Sequence, residues 1–561
     1  MKFVKCIAWI GLWCGCFATT ARTQERQADY VFEGGKIITC DASMTIAESM
    51  AIHRGKIVFV GSAAESKKWG GPDTHRIDLQ GGSLVPGFCD SHLHFSALGE
   101  SLVNIDLGEA KSWDAIIGLI EAEAKKVPPG TWIEGRGWHQ AKWRELPKQV
   151  WEGYPTHHDL SVRVPDHPVV LVHASGHASF INAKAMQVSA IDERTENPDG
   201  GEIVRDGEGK PTGLLRENAQ GLVGRARQRT LKKDDGQWER SIERATQECL
   251  KYGITSVHDA GIGFAECDRL ASLADQKKLG VRVYAMVRAG SGELLQKMPR
   301  YRWIERGDGF LTVRSVKVSA DGALGPHGAW LLEPYDDLPT TSGLNTVAMD
   351  ELRKIAGLCK RNQWQLCVHA IGDKANRETL NAFAEVLGED AQRDHRWRIE
   401  HAQHIHPADQ PRFHQLGVIP VMQAIHCPSD AVFVMQRLGE RRASENAYRW
   451  RALIEHGSIV PNGTDAPVEK VDPRASLYAS VSRRLKDGPA FFPEQSLTRN
   501  EALWSYTLWP AMASFQEKVR GSLEVGKDAD CAWWDRDLLQ CAPEELLQAR
   551  VNKVWVQGSP R

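Results

Sequence analysis

The sequence lacks an excess of charge of either sign. Its 561 residues include 70 lysines and arginines against 72 aspartates and glutamates, which gives a formal net charge of -2. A nucleic-acid-binding protein neutralises phosphates with a concentrated basic surface, and no basic stretch with interleaved aromatic residues occurs in the chain. We therefore expect no nucleic-acid partner.

Closely spaced cysteine pairs are also lacking. The chain has 12 cysteines, of which Cys6, Cys14 and Cys16 lie near its start. The other nine are scattered, with no CxxC motif and no spacing typical of a disulfide scaffold. We expect most of them to be small buried hydrophobic residues, and the sequence leaves open whether one pair is bridged.

The first stretch, MKFVKCIAWIGLWCGCFATTARTQ, has the layout of a targeting signal. Two lysines precede an apolar segment at 6–18, and small residues follow it. This predicts a signal peptide over 1–21 and no membrane span, because the apolar run is too short. We expect export to a periplasm or beyond. Lipid attachment at Cys16 is the less favoured alternative, since Trp13 fits that motif poorly.

Short strand-like segments occupy both ends of the remaining chain. In 28–84 the alternation of MAIHRGKIVFVG, with a turn at Arg54 and Gly55, predicts a β-hairpin. The region 521–561 has the same pattern of short strand-like segments, in GSLEVGKDADCAWWDRD and NKVWVQGS. Together the two regions predict one small β-sandwich closed by both chain ends.

Between these ends, apolar runs alternate with helix-like stretches, which indicates an α/β fold with a parallel sheet. Eight runs end in polar residues: LVPGFCDSH, ITSVHDAG, VRVYAMVRAG, VRSVKVSADG, WQLCVHAIGD, WRIEHAQ, VIPVMQAIH and SIVPNGTDAP. Eight such units predict a (β/α)8 TIM barrel over 85–470, followed by C-terminal barrel helices over 471–520. The stretch at about 96–247 is too long for one connection and contains its own strand-like pieces, so we interpret it as an insertion after barrel strand 1.

The residues that end these runs are chemically capable. Active sites of such barrels lie at the carboxyl ends of the strands, and residues i and i+2 of a strand point the same way, so the HLH sequence would direct both of its imidazoles to one point. The candidate metal ligands delivered by strands 1, 4, 5, 6 and 8 are His92, His94, Lys317, His369, His401 and Asp465.

Four imidazoles and a carboxylate suit zinc or a similar divalent ion. A catalytic zinc leaves one position open for water and lowers the pKa of that water to about 7. Asp465 is placed to accept the proton of that water. Lys317 fits such a site if it is neutral, or if it reacts with carbon dioxide to give a carbamate that bridges two metals about 3.5–4 Å apart. Its alternative role is a buried ion pair with a carboxylate such as Asp321.

The ordered set HxH, Lys, His, His, Asp resembles the amidohydrolase superfamily over nearly the whole chain. GITSVHDAG, KVSADGALGPHGA, VHAIGDKAN, RIEHAQ, GTDAPV and GSLEVGKDAD resemble the branch that contains N-substituted formamide deformylase. GRGWHQAKW and HASGHASFINAKA in the insertion are also similar to that branch.

The resemblance implies roles for the candidate ligands. His92 and His94 would bind the more buried metal, and His369 and His401 the second. Asp465 would be both ligand and proton shuttle. Carbamylation at the position of Lys317 occurs in some branches only, and a branch without it often holds one metal. One or two ions per chain are therefore expected.

These observations predict a metal-dependent hydrolase of a C–N bond in an amide, an N-substituted formamide or a cyclic amide. The same site acting on a lactone or a phosphoester is an alternative, because a fold does not determine its substrate. Another alternative is an exported, non-catalytic binding or regulatory protein. Such a protein would have no chemical need to keep Asp465 together with all of the candidate histidines.

The sequence also offers four candidate contacts to a small-molecule substrate. They are Trp138, His177, His258 and His426. Core packing is the alternative role for Trp138, and a core or helix-capping role for His258 and His426. Glu400, beside His401, is expected to face away from it and to be structural. A homodimer is compatible with the sequence, which indicates no particular interface.

Overall fold

The computed structural model describes residues 27–561 except 103, 146, 148, 231–234 and 485–487. The predicted signal peptide at 1–21 lies outside the described residues. Within them, no helix combines the length and apolar character that a membrane crossing requires.

A parallel sheet that curves into a nearly closed barrel forms the centre of the molecule. We number its seven strands in chain order as barrel strands 1 to 7, and each pairs in parallel with the next. The strands are Phe88–Leu93, Ile254–Ile262, Arg282–Val287, Leu311–Ser319, Gln365–Ala370, Arg398–His401 and Ile419–Val421. A short strand, Trp303–Glu305, pairs antiparallel with barrel strand 4. Barrel strand 3 is buried along its whole length, as expected for a sheet covered on both faces.

The eighth predicted strand is an irregular segment that nevertheless joins barrel strands 7 and 1. An isolated parallel bridge connects it to the residue after strand 7. On its other side, Ser91 N–H donates to Asn462 O (3.0 Å) and Asp465 N–H donates to His92 O (2.7 Å). Gly463 permits this close approach, because a Cβ there would lie 2.6 Å from the amide nitrogen of His92. Asp465 has a φ of +56°, which ends any extended conformation.

Helices surround the barrel. Two of the α-helices have a side-chain cap at the N-terminus: Asp472 caps helix Pro473–Ser482, and Thr498 and Glu501 form a capping box at the start of helix Arg499–Tyr506. The α-helices of this layer are Phe95–Ser101, Asp235–Lys251, Phe264–Asp275, Ser291–Tyr301, Arg306–Gly309, Met349–Asn362, Asp373–Leu387, Gln410–Gln415, His426–Asn446, Trp450–Glu455, Pro473–Ser482, Arg499–Tyr506 and Leu508–Ala513. Short 3-10 helices are Gly388–Gln392, Pro407–Asp409 and Pro493–Gln495.

The insertion after barrel strand 1 has its own six-stranded sheet and hydrophobic core. The strands of this sheet are Ile105–Asp106, Ile133–Trp138, Val169–His173, Ala178–Ile181, Gly201–Arg205 and Pro211–Glu217. A separate hairpin is formed by Val150–Trp151 and Tyr154–Pro155. The helices of the insertion are Trp113–Ala124, His158–Arg163, Ala183–Ser189 and Gln220–Thr230, with a 3-10 turn at Gln140–Lys142.

Both ends of the described chain contribute to a pair of small sheets. One has four strands, Tyr30–Glu33, Ser49–His53, Lys56–Gly61 and His75–Asp78, and includes the predicted hairpin at Arg54 and Gly55. The other combines Lys36–Ile38, Ile46–Ala47 and Ser83–Pro86 with Cys531–Trp534, Val551–Val556 and Ser559–Pro560. Short helices in these regions are Ala63–Ser66, Lys67–Trp69 and Pro543–Gln548. Residues from both ends, such as Phe32 and Trp555, share one core, as the sequence analysis predicted for a sandwich.

All nine cysteines of the described chain are free thiols, and eight of them are buried. Burial raises the pKa of several, including Cys40 and Cys89, to about 12. They behave as small hydrophobic side chains rather than as reactive groups.

Candidate active site

The six candidate ligands meet at the carboxyl end of the barrel. His92 belongs to barrel strand 1 and His94 follows that strand. The ring centroid of His401 lies 4.7 Å from that of His92 and 4.4 Å from that of His369. Burial, reinforced by neighbouring imidazoles, lowers the pKa of His369 and of His401 well below the ordinary value. They are therefore neutral, which is the form that binds a metal.

Asp465 lies close to both histidines of the HLH sequence. Its Oδ1 is 3.3 Å from His94 Nε2 and 3.6 Å from His92 Nε2. Burial alone would raise the pKa of Asp465, but the close approach of His94 and the other nearby imidazoles hold it well below the ordinary value. Asp465 is thus an ionised carboxylate in a buried position.

Lys317 reaches the same point from barrel strand 4. Its Nζ is 3.3 Å from His92 Nε2, and burial lowers the pKa of Lys317 to about 8, although the charge of Glu400 acts in the opposite sense. The alternative partner, Asp321, is engaged elsewhere: it accepts the backbone N–H groups of Ile371 (3.0 Å), Gly372 (2.7 Å) and Trp330 (2.9 Å). The lysine is therefore buried beside the histidines without that carboxylate.

These side chains fit a divalent ion. His92, His401 and Asp465 each offer a ligand atom, and the three atoms lie within 4.8 Å of one another. His369 Nε2, His401 Nδ1 and Asp465 Oδ1 are buried atoms without a hydrogen-bond partner. Buried polar atoms are normally satisfied, so this concentration of unsatisfied nitrogen and oxygen at one point indicates a cation that completes them.

Glu400 contacts one of the candidate ligands, whereas the sequence analysis expected it to face away from the site. It lies inside the barrel and makes a short hydrogen bond with His92 Nδ1. Strand alternation fails here because His401 has a φ of +71°, so two consecutive side chains turn inward. A carboxylate on Nδ1 determines the tautomer of His92 and directs Nε2 to the site.

A buried layer beneath the site contains another of the candidate residues. Arg398 Nε is 2.7 Å from Glu400 Oε1, and Arg398 Nη1 donates to His258 Nδ1 (3.0 Å). The other ring nitrogen of His258 faces Cys89 Sγ at 3.5 Å. His258 therefore lies below the ligands, where Arg398 and Cys89 occupy its ring nitrogens, and not on the wall of the cavity. The substrate contact expected from the sequence is corrected to a supporting position.

The insertion brings a histidine and a glutamate over the barrel. His177 Nδ1 and Glu217 Oε2 are 2.7 Å apart, and the ring of His177 is 4.8 Å from that of His369. Burial lowers the pKa of His177, but the charge and hydrogen bond of Glu217 outweigh it and raise the value. Glu217 was missed in the sequence; its one signal was its place at the end of a strand-like run, GLLRE.

The remaining two candidates have different surroundings. Trp138 is fully buried in the core of the insertion, and its indole N–H donates to Leu171 O (2.8 Å). The structure thus corrects its expected substrate contact to a packing role. His426 begins the helix after barrel strand 7, lines a smaller cavity beside the site, and has a buried Nε2 without a hydrogen-bond partner.

The candidate ligands line a cavity of about 290 Å³, which we call the main cavity because of its position at the site and not because of its size. The barrel and the insertion both contribute to its wall. Its lining includes His92, His94, His177, Lys317, His369, His401 and Asp465. A small molecule that enters it meets the candidate ligands on one side and the insertion on the other.

A barrel with buried histidines, an ionised aspartate and a lysine at the carboxyl ends of its strands defines a class of metal-dependent hydrolases. The amidohydrolase family matches residues 76–561, and the chain belongs to that family.

Relatives and solved structures agree with this assignment. The chain is 29% identical to N-substituted formamide deformylase of Arthrobacter pascens, over 94% of this chain and 97% of the relative. It is 32% identical to the protein LONG AFTER FAR-RED 3 of Arabidopsis thaliana, over 90% and 86%. A crystal structure of an uncharacterized metal-dependent hydrolase from Pyrococcus horikoshii superposes with a TM-score of 0.72 at 28% identity, covering 92% of this chain and 99% of that one.

Proposed function

We propose that this hydrolase acts on the C–N bond of a small amide, an N-substituted formamide or a cyclic amide. The observation that carries the proposal is the convergence of His92, His94 and His401 on an ionised, buried Asp465. The ring of His369 lies 4.4 Å from that of His401. The similarity to a formamide deformylase over nearly the full chain supports the choice of bond.

His92, His94, His369, His401 and Asp465 would hold one or two divalent ions, with zinc the metal we propose. Bound there, such an ion polarises a carbonyl group and acidifies water. Asp465 is ionised and lines the cavity. It can therefore accept the proton of the attacking water and deliver it to the leaving nitrogen. Glu400 holds His92 in the orientation that this site requires.

We also propose that Lys317 carries a carbamate when two ions are bound. The reaction of an amine with carbon dioxide requires the neutral amine, and burial lowers the pKa of Lys317 to about 8. A neighbouring His92 nitrogen at 3.3 Å places the new carboxylate within reach of the ligands.

Export from the cytoplasm remains part of the proposal. It is supported by the lysines, the apolar segment at 6–18 and the small residues of the first stretch.

Metal content and hydrolysis, measured on the same preparation, test this function. We expect one or two divalent ions per chain, and turnover of members of a panel of formamides, amides and cyclic amides. Asp465→Asn should lower kcat by at least about 100-fold while most of the metal stays bound, because a general acid–base contributes roughly 10²–10⁴-fold. Two ions per chain would support the carbamate on Lys317, and a single ion per chain would contradict it.

The panel also contains lactones and phosphoesters. Turnover confined to these would replace the amide proposal with the corresponding ester chemistry. A protein that binds no metal and hydrolyses nothing would be a non-catalytic binding protein. Near-normal activity of Asp465→Asn would show that Asp465 is not the proton shuttle.

A further inference from the structure

Two arginines of separate origin line the main cavity beside the candidate ligands. Arg136 lies in the insertion strand Ile133–Trp138, and Arg288 directly follows barrel strand 3. Both form part of the same wall as His92, His94 and Asp465. Cationic groups from the insertion and from the barrel thus face one small space.

Neither arginine has a carboxylate partner among the described residues. Arg136 Nε donates to Pro467 O (3.0 Å), and Arg288 Nη1 donates to Ser319 Oγ (3.1 Å). The buried Arg282 and Arg398 differ in this respect: Arg282 is 2.6 Å from Asp530 and Arg398 is 2.7 Å from Glu400. Arg136 is half-buried and Arg288 is exposed. A guanidinium presents five N–H donors in a planar fork that matches a carboxylate. The cavity therefore offers two such forks that form no ion pair with a carboxylate of the described residues, although the charge of Asp465 acts on Arg136.

The rest of the cavity wall favours a polar ligand. Ser175, Asn218, Gln220 and Thr346 line it together with the two arginines. Trp138, which could have contacted an apolar substituent, is packed in the core of the insertion instead. At about 290 Å³, the cavity is near the lower end of the range for small-molecule sites, roughly 300–1,000 Å³. A compact ligand that touches Asp465 is therefore close to the remaining wall.

We propose that the substrate carries a carboxylate, which Arg136 and Arg288 bind while its scissile amide lies against the metal ligands. An N-acylated amino acid, or a cyclic amide that bears a carboxylate, has this chemistry. The inference rests on the proposed C–N hydrolysis, and it narrows the substrate class from amides in general to anionic ones.

The test compares matched pairs of substrates on the metal-loaded enzyme. Each pair is an N-formyl or N-acetyl amino acid and the corresponding N-acylated amine without the carboxylate. We expect the wild type to prefer the acid by at least about tenfold in kcat/KM. Arg288→Met and Arg136→Met should each lower the acid-to-amine ratio by about tenfold to a hundredfold, because each removes a charge-assisted contact to the carboxylate. Arg353→Met, which removes a surface ion pair with Glu385, is the control and should leave the ratio unchanged.

A binding measurement separates this inference from the proposed reaction. Calorimetry with a 2-propoxy acid, which has no amide bond to hydrolyse and no amine to protonate, and with the matching neutral ether reports the carboxylate contact without turnover. Hydrolysis of the neutral amides with no preference for acids in rate or in binding overturns the anion site and leaves C–N hydrolysis standing. Binding of the acid probe that weakens tenfold or more in Arg288→Met, without hydrolysis of any amide, supports the anion site and overturns the reaction. A probe that does not bind, with no hydrolysis, overturns both.

Discussion

At the scale of single residues, a buried carboxylate determines how the first histidine of the site is presented. Glu400 has no exposed surface and lies between Arg398 and His92. Burial alone would raise the pKa of Glu400, but these two partners hold it far below the ordinary value. A permanently ionised acceptor on Nδ1 keeps the proton of His92 away from Nε2, which is the nitrogen that faces the site.

Glu400→Gln tests this orientation. An amide cannot replace the charge, so we expect the affinity for the metal to fall by about 10–100-fold. Arg398 would lose its buried counter-charge, which costs roughly 3–5 kcal/mol of stability. Competition with a chelator measures the first effect and thermal unfolding the second. Glu385→Gln, at an exposed ion pair, is the control. A loss of stability with unchanged metal affinity would give Glu400 a purely structural role.

At the scale of elements, the insertion is a layer with its own core that covers the barrel. Its helix Trp113–Ala124 is capped by Ser112 and buries residues at helical spacing, among them Ile116 and Ile120. Trp138 packs in this core, while Arg136, two residues earlier on the same strand, reaches the cavity. One strand thus serves both the packing of the insertion and the wall of the site.

Trp138→Ala should therefore act on stability first. Truncation of a fully buried tryptophan costs roughly 3–5 kcal/mol, and we expect a lower unfolding temperature. Trp138→Phe, which keeps most of the packing, should retain kcat/KM within about threefold across neutral and acidic substrates. Trp151→Ala, at a half-exposed position on the hairpin of the insertion, should change stability by no more than about 0.5 kcal/mol. A change in substrate preference in Trp138→Phe would instead indicate that Trp138 contacts the substrate, as the sequence suggested.

At the scale of the whole molecule, a buried ion cluster joins the barrel to the C-terminal end of the chain. Arg282, on barrel strand 3, lies 2.6 Å from Asp530 and 3.2 Å from Asp528. Arg520 is 3.0 Å from Asp528. Burial opposes ionisation of Asp530, but Arg282 outweighs it and lowers its pKa below the ordinary value of 3.8.

This cluster predicts a pH-dependent contribution to stability. Because the pKa of Asp530 is lower in the folded state than in the unfolded chain, its contribution is complete above about pH 4 and is lost as the pH falls below that. Asp530→Asn should cost roughly 3–5 kcal/mol at pH 7, since Arg282 keeps a buried charge. The difference between wild type and variant should shrink below pH 4. Urea midpoints of both proteins from pH 3 to pH 7 measure it, and a constant difference would contradict the lowered pKa.

The sequence by itself determined the barrel and the side chains that end its strands. Apolar runs are fully buried in a parallel sheet, and their carboxyl ends meet at one edge, so HLH, Lys317, His369, His401 and Asp465 could be placed together without coordinates. Both ends of the chain could be assigned to one small sandwich because their short alternating strands have no other way to bury one face.

Only the tertiary structure decided which way several side chains face. Left-handed φ angles at His401 and Glu217 break the strand alternation on which sequence analysis depends. Arg136 and Arg288 come from segments about 150 residues apart, and their common cavity exists only because the insertion folds over the barrel. Trp138 and Arg136 are two residues apart on one strand, yet only Trp138 packs in the core, because the strand register shifts between them at Gly137, whose φ is +101°.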